Sequence, residues 1–303
     1  MTSALIVLIL TSISCSLLGV FLILRKLSML TDAISHTVLL GIVIAFFIVK
    51  NLDSPVLIIG ASLMGVITVF LIESIGKKGI SKYDDAIGMI FPILFSIAVI
   101  LISKFFRNVH LDTEIVLLGE VLFSSLVKTN VFGYEISRSI LNGVILLFSI
   151  IVFIVINYQK LKISTFDSEF AYLIGIPTGV IFYSLMALTS VSAVVSFNSV
   201  GAILVISFFI APSATALLFS KSLISTFIYS VAFSVMNSVI GFLLAIKFNV
   251  SIAGFVATVN MISYLVILLI TKYNEDKVLI RGTGKNYGKE LKSSERRVFN
   301  RDF

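Results

Sequence analysis

Stretches of about 20 apolar residues, separated by short polar connections, run through most of this 303-residue chain. A helix needs about 20 apolar residues to cross the hydrocarbon core of a bilayer. We therefore predict an all-α, polytopic helix bundle with transmembrane helices at residues 4–24, 29–49, 55–75, 86–103, 139–157, 178–196, 199–220, 222–246 and 250–270. The number of spans is nine, or eight if one short run is re-entrant, and the 199–220 stretch, with Pro212 inside it, is hard to divide from its neighbours.

The composition agrees with an integral membrane protein. Hydrophobic residues make up 58% of the chain and charged residues 13%, against about 45–50% and about 25% in soluble domains. A net charge of +7 would suit a nucleic-acid partner, but nine of the 23 lysines and arginines lie in residues 271–303. Most of the others flank apolar stretches, which indicates membrane topology rather than nucleic-acid binding. The single cysteine, Cys15, excludes an internal disulfide and a cysteine-based zinc site.

The basic residues also predict the orientation of the chain. With the N-terminus outside and nine spans, 17 lysines and arginines fall on one side of the membrane and six on the other. The side with the excess is the cytoplasmic one by the positive-inside rule. We therefore expect a transmembrane domain over residues 1–270 and a basic cytoplasmic tail over residues 271–303, at a cell membrane.

The pair Asp32 and His36 is the clearest candidate for chemistry. The two residues are four apart, so a helix places them one turn apart on the same face. Ionisable groups inside a membrane are costly and normally face a bundle interior or an aqueous path. A carboxylate with an imidazole suits a borderline divalent ion such as Mn²⁺, Fe²⁺ or Zn²⁺. Alternatively, the two groups satisfy only each other, or Asp32 caps a helix.

Two segments do not fit the spanning pattern. Residues 111–126 carry three carboxylates and should lie on or dip into the outer face; there His110, Asp112 and Glu114 form either a metal entry site or a solvated surface cluster. On the cytoplasmic side, residues 165–177 predict a short amphipathic helix. From the residues alone, this helix either lies on the membrane or docks a cytoplasmic partner.

The chain contains no G-x4-G-K-[ST] motif, since Gly282-Thr283-Gly284-Lys285 in the tail has the wrong spacing. We therefore expect no ATPase activity of its own. An ion-coupled secondary transporter would need more intramembrane carboxylates, and only Asp32 is clearly inside a span. An intramembrane metalloenzyme would need at least three protein ligands and a general base, which one buried histidine does not supply.

Four stretches in order along the chain resemble motifs of the permease subunits of manganese, zinc and iron ABC importers. They are Arg25-x6-Asp32-Ala33-Ile34-Ser35-His36-x4-Gly41, His110-Leu111-Asp112-x5-Leu118-Gly119, Phe166-Asp167-Ser168-Glu169-Phe170-Ala171-x3-Gly175, and Val200-Gly201-Ala202-Ile203-Leu204-Val205 through Ala211-Pro212-Ser213-Ala214-Thr215-Ala216. Together they cover roughly residues 20–220.

The resemblance implies a transport subunit rather than an enzyme. Such permeases work in pairs in the bacterial cell membrane, bind two cytoplasmic ATPase subunits, and receive the metal from an extracellular or periplasmic metal-binding protein. The ion is cargo, and no cofactor is permanently bound. Asp32 and His36 match the metal positions of the path. The residues that match the ATPase-coupling helix are Phe166, Asp167, Glu169, Phe170, Ala171 and Gly175.

Overall fold

A computed structural model describes residues 1–51, 54–76, 83–105, 128–131 and 134–273 of the chain. The helices and strands, in chain order, are α1 Thr2–Leu24, α2 Ser28–Val49, α3 Pro55–Gly76, α4 Tyr83–Phe105, β1 Lys128–Val131, β2 Tyr134–Ser137, α5 Arg138–Phe166, α6 Ser168–Leu173, α7 Thr178–Val200, α8 Ala202–Leu217, α9 Leu223–Phe248 and α10 Ile252–Tyr273. Within these ranges, eight helices are long and apolar enough to cross a membrane, and α8 is a shorter apolar helix.

The predicted helical, polytopic fold is confirmed, with one addition. Strands β1 and β2 pair as a short antiparallel hairpin in the connection between α4 and α5, with Thr129 opposite Ile136. The all-α prediction did not include this hairpin. Strands of four residues are too short to give a clear alternating pattern in the sequence.

The helix packing forms two groups that α7 joins. Helix α2 packs against α3 and α4, whereas α1 packs against α5, α8 and α9, and α7 contacts members of both groups. The largest fully buried side chains include Phe21 of α1 with Phe208 and Phe209 of α8. The helix α2, which carries Asp32 and His36, therefore belongs to the α2–α3–α4 group at one side of the bundle.

Helix α8 replaces the predicted 199–220 span with a shorter helix. Gly201 ends α7 and precedes α8 with a φ of 86°, a left-handed conformation that favours glycine. Early in α8, Ser207 accepts a hydrogen bond from Asn260 of α10; later, Ser213 donates to the carbonyl oxygen of Ser16 in α1. Helix α8 therefore makes polar contacts with both α10 and α1. Pro212 lies within α8 without ending it.

Candidate metal site and the surface around α6

Asp32 and His36 lie one turn apart on α2, as their spacing predicted. Nε2 of His36 is 3.6 Å from Oδ1 of Asp32, and the side chains are 32% and 46% exposed, respectively. The opposite face of α2 contacts α3, where Thr68 donates a hydrogen bond to the hydroxyl of Thr37. In the part of the chain that the structure describes, no cluster of three or more His, Cys, Asp or Glu residues could hold a metal. The pair on α2 therefore offers two ligand side chains from one copy of the chain.

Two phenylalanines of α4 hold the imidazole ring of His36. Its ring stacks on Phe91 with centroids 5.5 Å apart, and Phe95 meets it edge-on at 5.6 Å. The two phenylalanines are themselves one helical turn apart, so the ring is held from two sides of a common pocket. The sequence analysis missed this arrangement. The four-residue spacing of Phe91 and Phe95 was the available signal, but it is hard to single out in a chain with 26 phenylalanines.

The predicted cytoplasmic helix at residues 165–177 is shorter in the structure. Helix α5 continues to Phe166, and α6 covers only Ser168–Leu173. Asp167 separates the two helices because its backbone is extended, and its side chain accepts a hydrogen bond of 2.8 Å from the backbone N–H of Phe170. Gly175, with a φ of 80°, follows the helix as expected.

The apolar side chains around α6 point outward. Phe166, Phe170 and Ile174 are at least half exposed, Leu173 is 80% exposed, and only Ala171 of the segment is fully buried. Exposed apolar side chains that cluster in one short segment mark a contact with a protein or a membrane. Asp167 and Glu169 lie beside them and are also exposed. With the exception of Ala171, the residues predicted to couple to an ATPase are thus exposed within one short segment.

Arg25 attaches the turn between α1 and α2 to the end of α5. Its Nε donates to Oγ1 of Thr165 at 3.1 Å, and an Nη donates to Oγ of Ser164 at 2.9 Å. Burial lowers the pKa of the Arg25 guanidinium from its ordinary value, but arginine stays charged in proteins. The residue entered the sequence analysis only as part of a motif, and its contact beside α6 was not expected.

Glu73 is a buried carboxylate that the sequence analysis missed. It lies on α3 and is 7% exposed, and the hydroxyl of Tyr183 on α7 donates to its Oε2. Glu73 is thus a second carboxylate within a spanning helix, three residues before the end of α3. The sequence analysis missed it because it lies near the end of an apolar stretch, where a charge is normally assigned to the membrane interface. Glu73 and Arg25 both line a cavity of about 540 Å³ that also touches Glu169 and Tyr172 of α6.

Three predicted site residues, His110, Asp112 and Glu114, lie outside the described residues, as does most of the tail from residue 274 onward. The metal entry site and the basic cytoplasmic tail therefore stay predictions from the sequence.

The fold and the site define a polytopic helical membrane protein that carries a carboxylate–imidazole pair within one of its spanning helices. The chain belongs to the ABC 3 transport family, whose family profile matches residues 1–271. The family that the four motifs indicated is thereby confirmed.

Known proteins of the same kind resemble the chain over most of their length. It is 40% identical over 269 residues to the manganese transport system membrane protein MntD of Bacillus subtilis, covering 88% of this chain and 90% of MntD. It is 38% identical over 263 residues to the zinc transport system membrane protein TroD of Treponema pallidum, covering 87% of this chain and 72% of TroD. A structure of PsaBC from Streptococcus pneumoniae in complex with Fab matches with a TM-score of 0.75 and 29% identity, over 91% of this chain and 94% of that one.

Proposed function

We propose that this chain is the permease subunit of an ATP-binding-cassette importer for divalent metal ions, with the ion passing Asp32 and His36. ATP hydrolysis takes place on separate cytoplasmic subunits. The observation that carries the proposal is the Asp32–His36 pair, which is partly exposed on the face of a spanning helix. The protein works in a bacterial cell membrane, with its C-terminus in the cytoplasm.

The exposure of the pair supports assembly as two permease subunits. A carboxylate facing lipid within a span costs several kcal/mol, so such groups face a bundle interior or water. In one copy of this chain, 46% of the Asp32 side chain is exposed. A second permease, either another copy or a related chain, covers this face and turns it into the wall of a path. Two such copies supply two carboxylates and two imidazoles for one ion.

The ligand chemistry and the relatives support a transition-metal ion as cargo. Mixed oxygen and nitrogen donors bind Mn²⁺, Fe²⁺ and Zn²⁺ with little discrimination among them. The names of the relatives MntD and TroD record manganese and zinc transport, respectively. A site with few ligands from each subunit also lets the ion leave, because transport needs binding that is favourable but transient.

The α6 segment, residues 166–175, supports docking of a cytoplasmic ATPase. The sequence has no ATP-binding P-loop motif, so energy must come from a partner. The exposed side chains of Phe166, Phe170 and Leu173 offer that partner an apolar surface, with Asp167 and Glu169 at its edge. Arg25 fixes the chain immediately before this surface, through Ser164 and Thr165. On the other side of the membrane, an extracellular or periplasmic metal-binding protein delivers the ion, with His110, Asp112 and Glu114 as the entry residues.

Glu73 supplies the second buried carboxylate that an ion-coupled secondary transporter would need. Uptake measurements separate the two functions. The chain and its ATPase are expressed together and separately in cells without their own importers, and uptake of Mn²⁺, Zn²⁺ and Fe²⁺ is followed. We expect uptake only with both proteins, and its loss in Asp32→Ala and His36→Ala. The control is Asp84→Ala, at the exposed start of α4, which should transport normally. Uptake by this chain alone would identify a secondary transporter.

A further inference from the structure

Glu73 and Tyr183 connect two helices beside the α6 segment. Tyr183 lies in the second turn of α7, a helix that begins at Thr178 only a few residues after α6 ends. Its hydroxyl donates to the carboxylate of Glu73 near the end of α3. A displacement of α6 therefore reaches the Tyr183 side chain through the turn at residues 174–177, which is hydrogen-bonded to α6, and the first turn of α7.

Helix α3 is in turn packed closely on α2, which carries the metal pair. Thr68 of α3 donates to Thr37 of α2 at 2.8 Å, and α3 is the principal neighbour of α2. Deeper in the membrane, Ser190 of α7 donates to the carbonyl oxygen of Ser62 in α3 at 2.9 Å. The contacts thus form a continuous connection from α6 through α7 and α3 to α2.

Glu73 does not share the surface of Asp32 and His36. The cavities that Glu73 lines are bordered by Arg25, Ser164, Ser168 and Phe182, and neither metal-pair residue borders them. Glu73 accepts a hydrogen bond from Tyr183 of α7, whereas the ring of His36 stacks on Phe91 of α4. The geometry therefore gives Glu73 a contact to α7 rather than a place in the metal pair.

We propose that Glu73 and Tyr183 form a positioning contact that transmits displacement of the α6 segment to α3 and α2, and so couples ATP hydrolysis to release of the ion from Asp32 and His36. The inference rests on the proposed function, since it requires an ATPase that moves α6. A hydrogen bond to a carboxylate is stronger than one between neutral groups, and burial strengthens it further. Separating α7 from α3 at this point is therefore costly, and the two helices move together.

The test measures ions transported per ATP hydrolysed by the complete complex of this chain with its ATPase subunits, reconstituted in proteoliposomes. We expect Tyr183→Phe and Glu73→Leu each to lower this ratio by about five- to tenfold, within the usual range of coupling between sites. Glu73→Gln should keep most of the ratio, because its amide oxygen still accepts the hydrogen bond. Tyr229→Phe removes the same hydroxyl from a tyrosine of α9 that packs on Phe219, and it should match the wild type.

Two further measurements separate coupling from folding and from ligation. The double variant Glu73→Leu with Tyr183→Phe removes both polar partners at once, which preserves packing; its ratio should equal that of the single variants, because they remove one contact. Binding of Mn²⁺ and retention of the ATPase during purification should stay at wild-type levels in every variant.

A wild-type ratio in Tyr183→Phe and Glu73→Leu would overturn the inference and leave the proposed function standing. Loss of Mn²⁺ binding in Glu73→Gln would also overturn it, since Glu73 would then act as a ligand. If the wild-type complex itself transports no metal ion with ATP, the proposed function fails, and the inference fails with it.

Discussion

The ring of His36 takes its position from α4 as well as from its own helix. Phe91 stacks on one side of it and Phe95 meets it edge-on, while Asp32 lies 3.6 Å from Nε2. Aromatic contacts of this kind contribute about 0.5–1.5 kcal/mol beyond burial. The imidazole is therefore held in one orientation before an ion arrives, and less conformational freedom is lost when it binds.

Removing the Phe91 ring should weaken metal binding although it removes no metal ligand. We expect Phe91→Ala to raise the dissociation constant for Mn²⁺ by about 2- to 12-fold, the factor that corresponds to about 0.5–1.5 kcal/mol. Phe105→Ala, at the far end of α4 where Phe105 packs on Phe47, is the matched control and should bind as the wild type. Equal affinities for Phe91→Ala and the wild type, measured by calorimetry on the assembled complex, would show that the ring contact has no part in binding.

At the level of residues, the sequence predicted the proximity of side chains on the same helix and missed the contacts between side chains on different helices. The proximity of Asp32 and His36 follows from their spacing on α2. The contacts of His36 with Phe91 and of Glu73 with Tyr183 depend on which helices are neighbours. Hydrophobic periodicity indicates that a helix is buried but does not name the helix against which it packs.

Close approach of helices at glycines determines how α2 and α3 pack. A Cβ atom on Gly41 of α2 would lie 2.7 Å from Cβ of Met64 and 2.8 Å from Cα of Ala61 on α3, nearer than real Cβ atoms come. Small residues at such positions let helix backbones approach closely in membranes. The relative position of α2 and α3, and with it that of Asp32, therefore depends on this glycine.

We expect Gly41→Ala to destabilise the bundle by about 1–3 kcal/mol, the usual cost of overpacking. Gly88→Ala on α4 makes the same substitution where no atom lies within 4 Å of the added Cβ. That control should be neutral or stabilising by up to about 1 kcal/mol, because alanine favours helices. Thermal unfolding of the purified protein in detergent compares the two. A Gly41→Ala variant as stable as Gly88→Ala would contradict the close packing.

The helix ends show why element boundaries were predicted less well than the elements. Helix α5 extends to Phe166 although the predicted span ends at residue 157, because the polar residues after the membrane stretch continue the helix. The break comes at Asp167, where the side chain caps the next helix. Apolar stretches locate the membrane portion of a helix, whereas a capping residue locates its end.

For the whole molecule, the number of membrane crossings determines whether the two ends of the chain lie on the same side of the membrane. In the described ranges, eight helices are long enough to span the membrane, and α8 is a shorter apolar helix. If α8 is counted as a crossing, the number is odd and the two ends of the chain lie on opposite sides of the membrane. The excess of basic residues then predicts a cytoplasmic tail.

Thiol labelling of intact cells tests this orientation with little background, because the native Cys15 is fully buried. In Ser293→Cys, a tail cysteine should escape a membrane-impermeant maleimide added outside and react only after the cells are opened. The matched variant Ser54→Cys, between α2 and α3, should react from outside. The reverse pattern of labelling would invert the topology and place the α6 segment outside, away from any ATPase.

The central claim is that Asp32 and His36 of two permease subunits hold one transported ion between them. Its most direct test is the number of Mn²⁺ or Zn²⁺ ions bound per permease pair in the purified complex, measured by equilibrium dialysis with metal analysis. The account predicts one ion per pair for the wild type, and loss of that ion in both Asp32→Ala and His36→Ala. One ion per single chain, or undiminished binding in either variant, would contradict it.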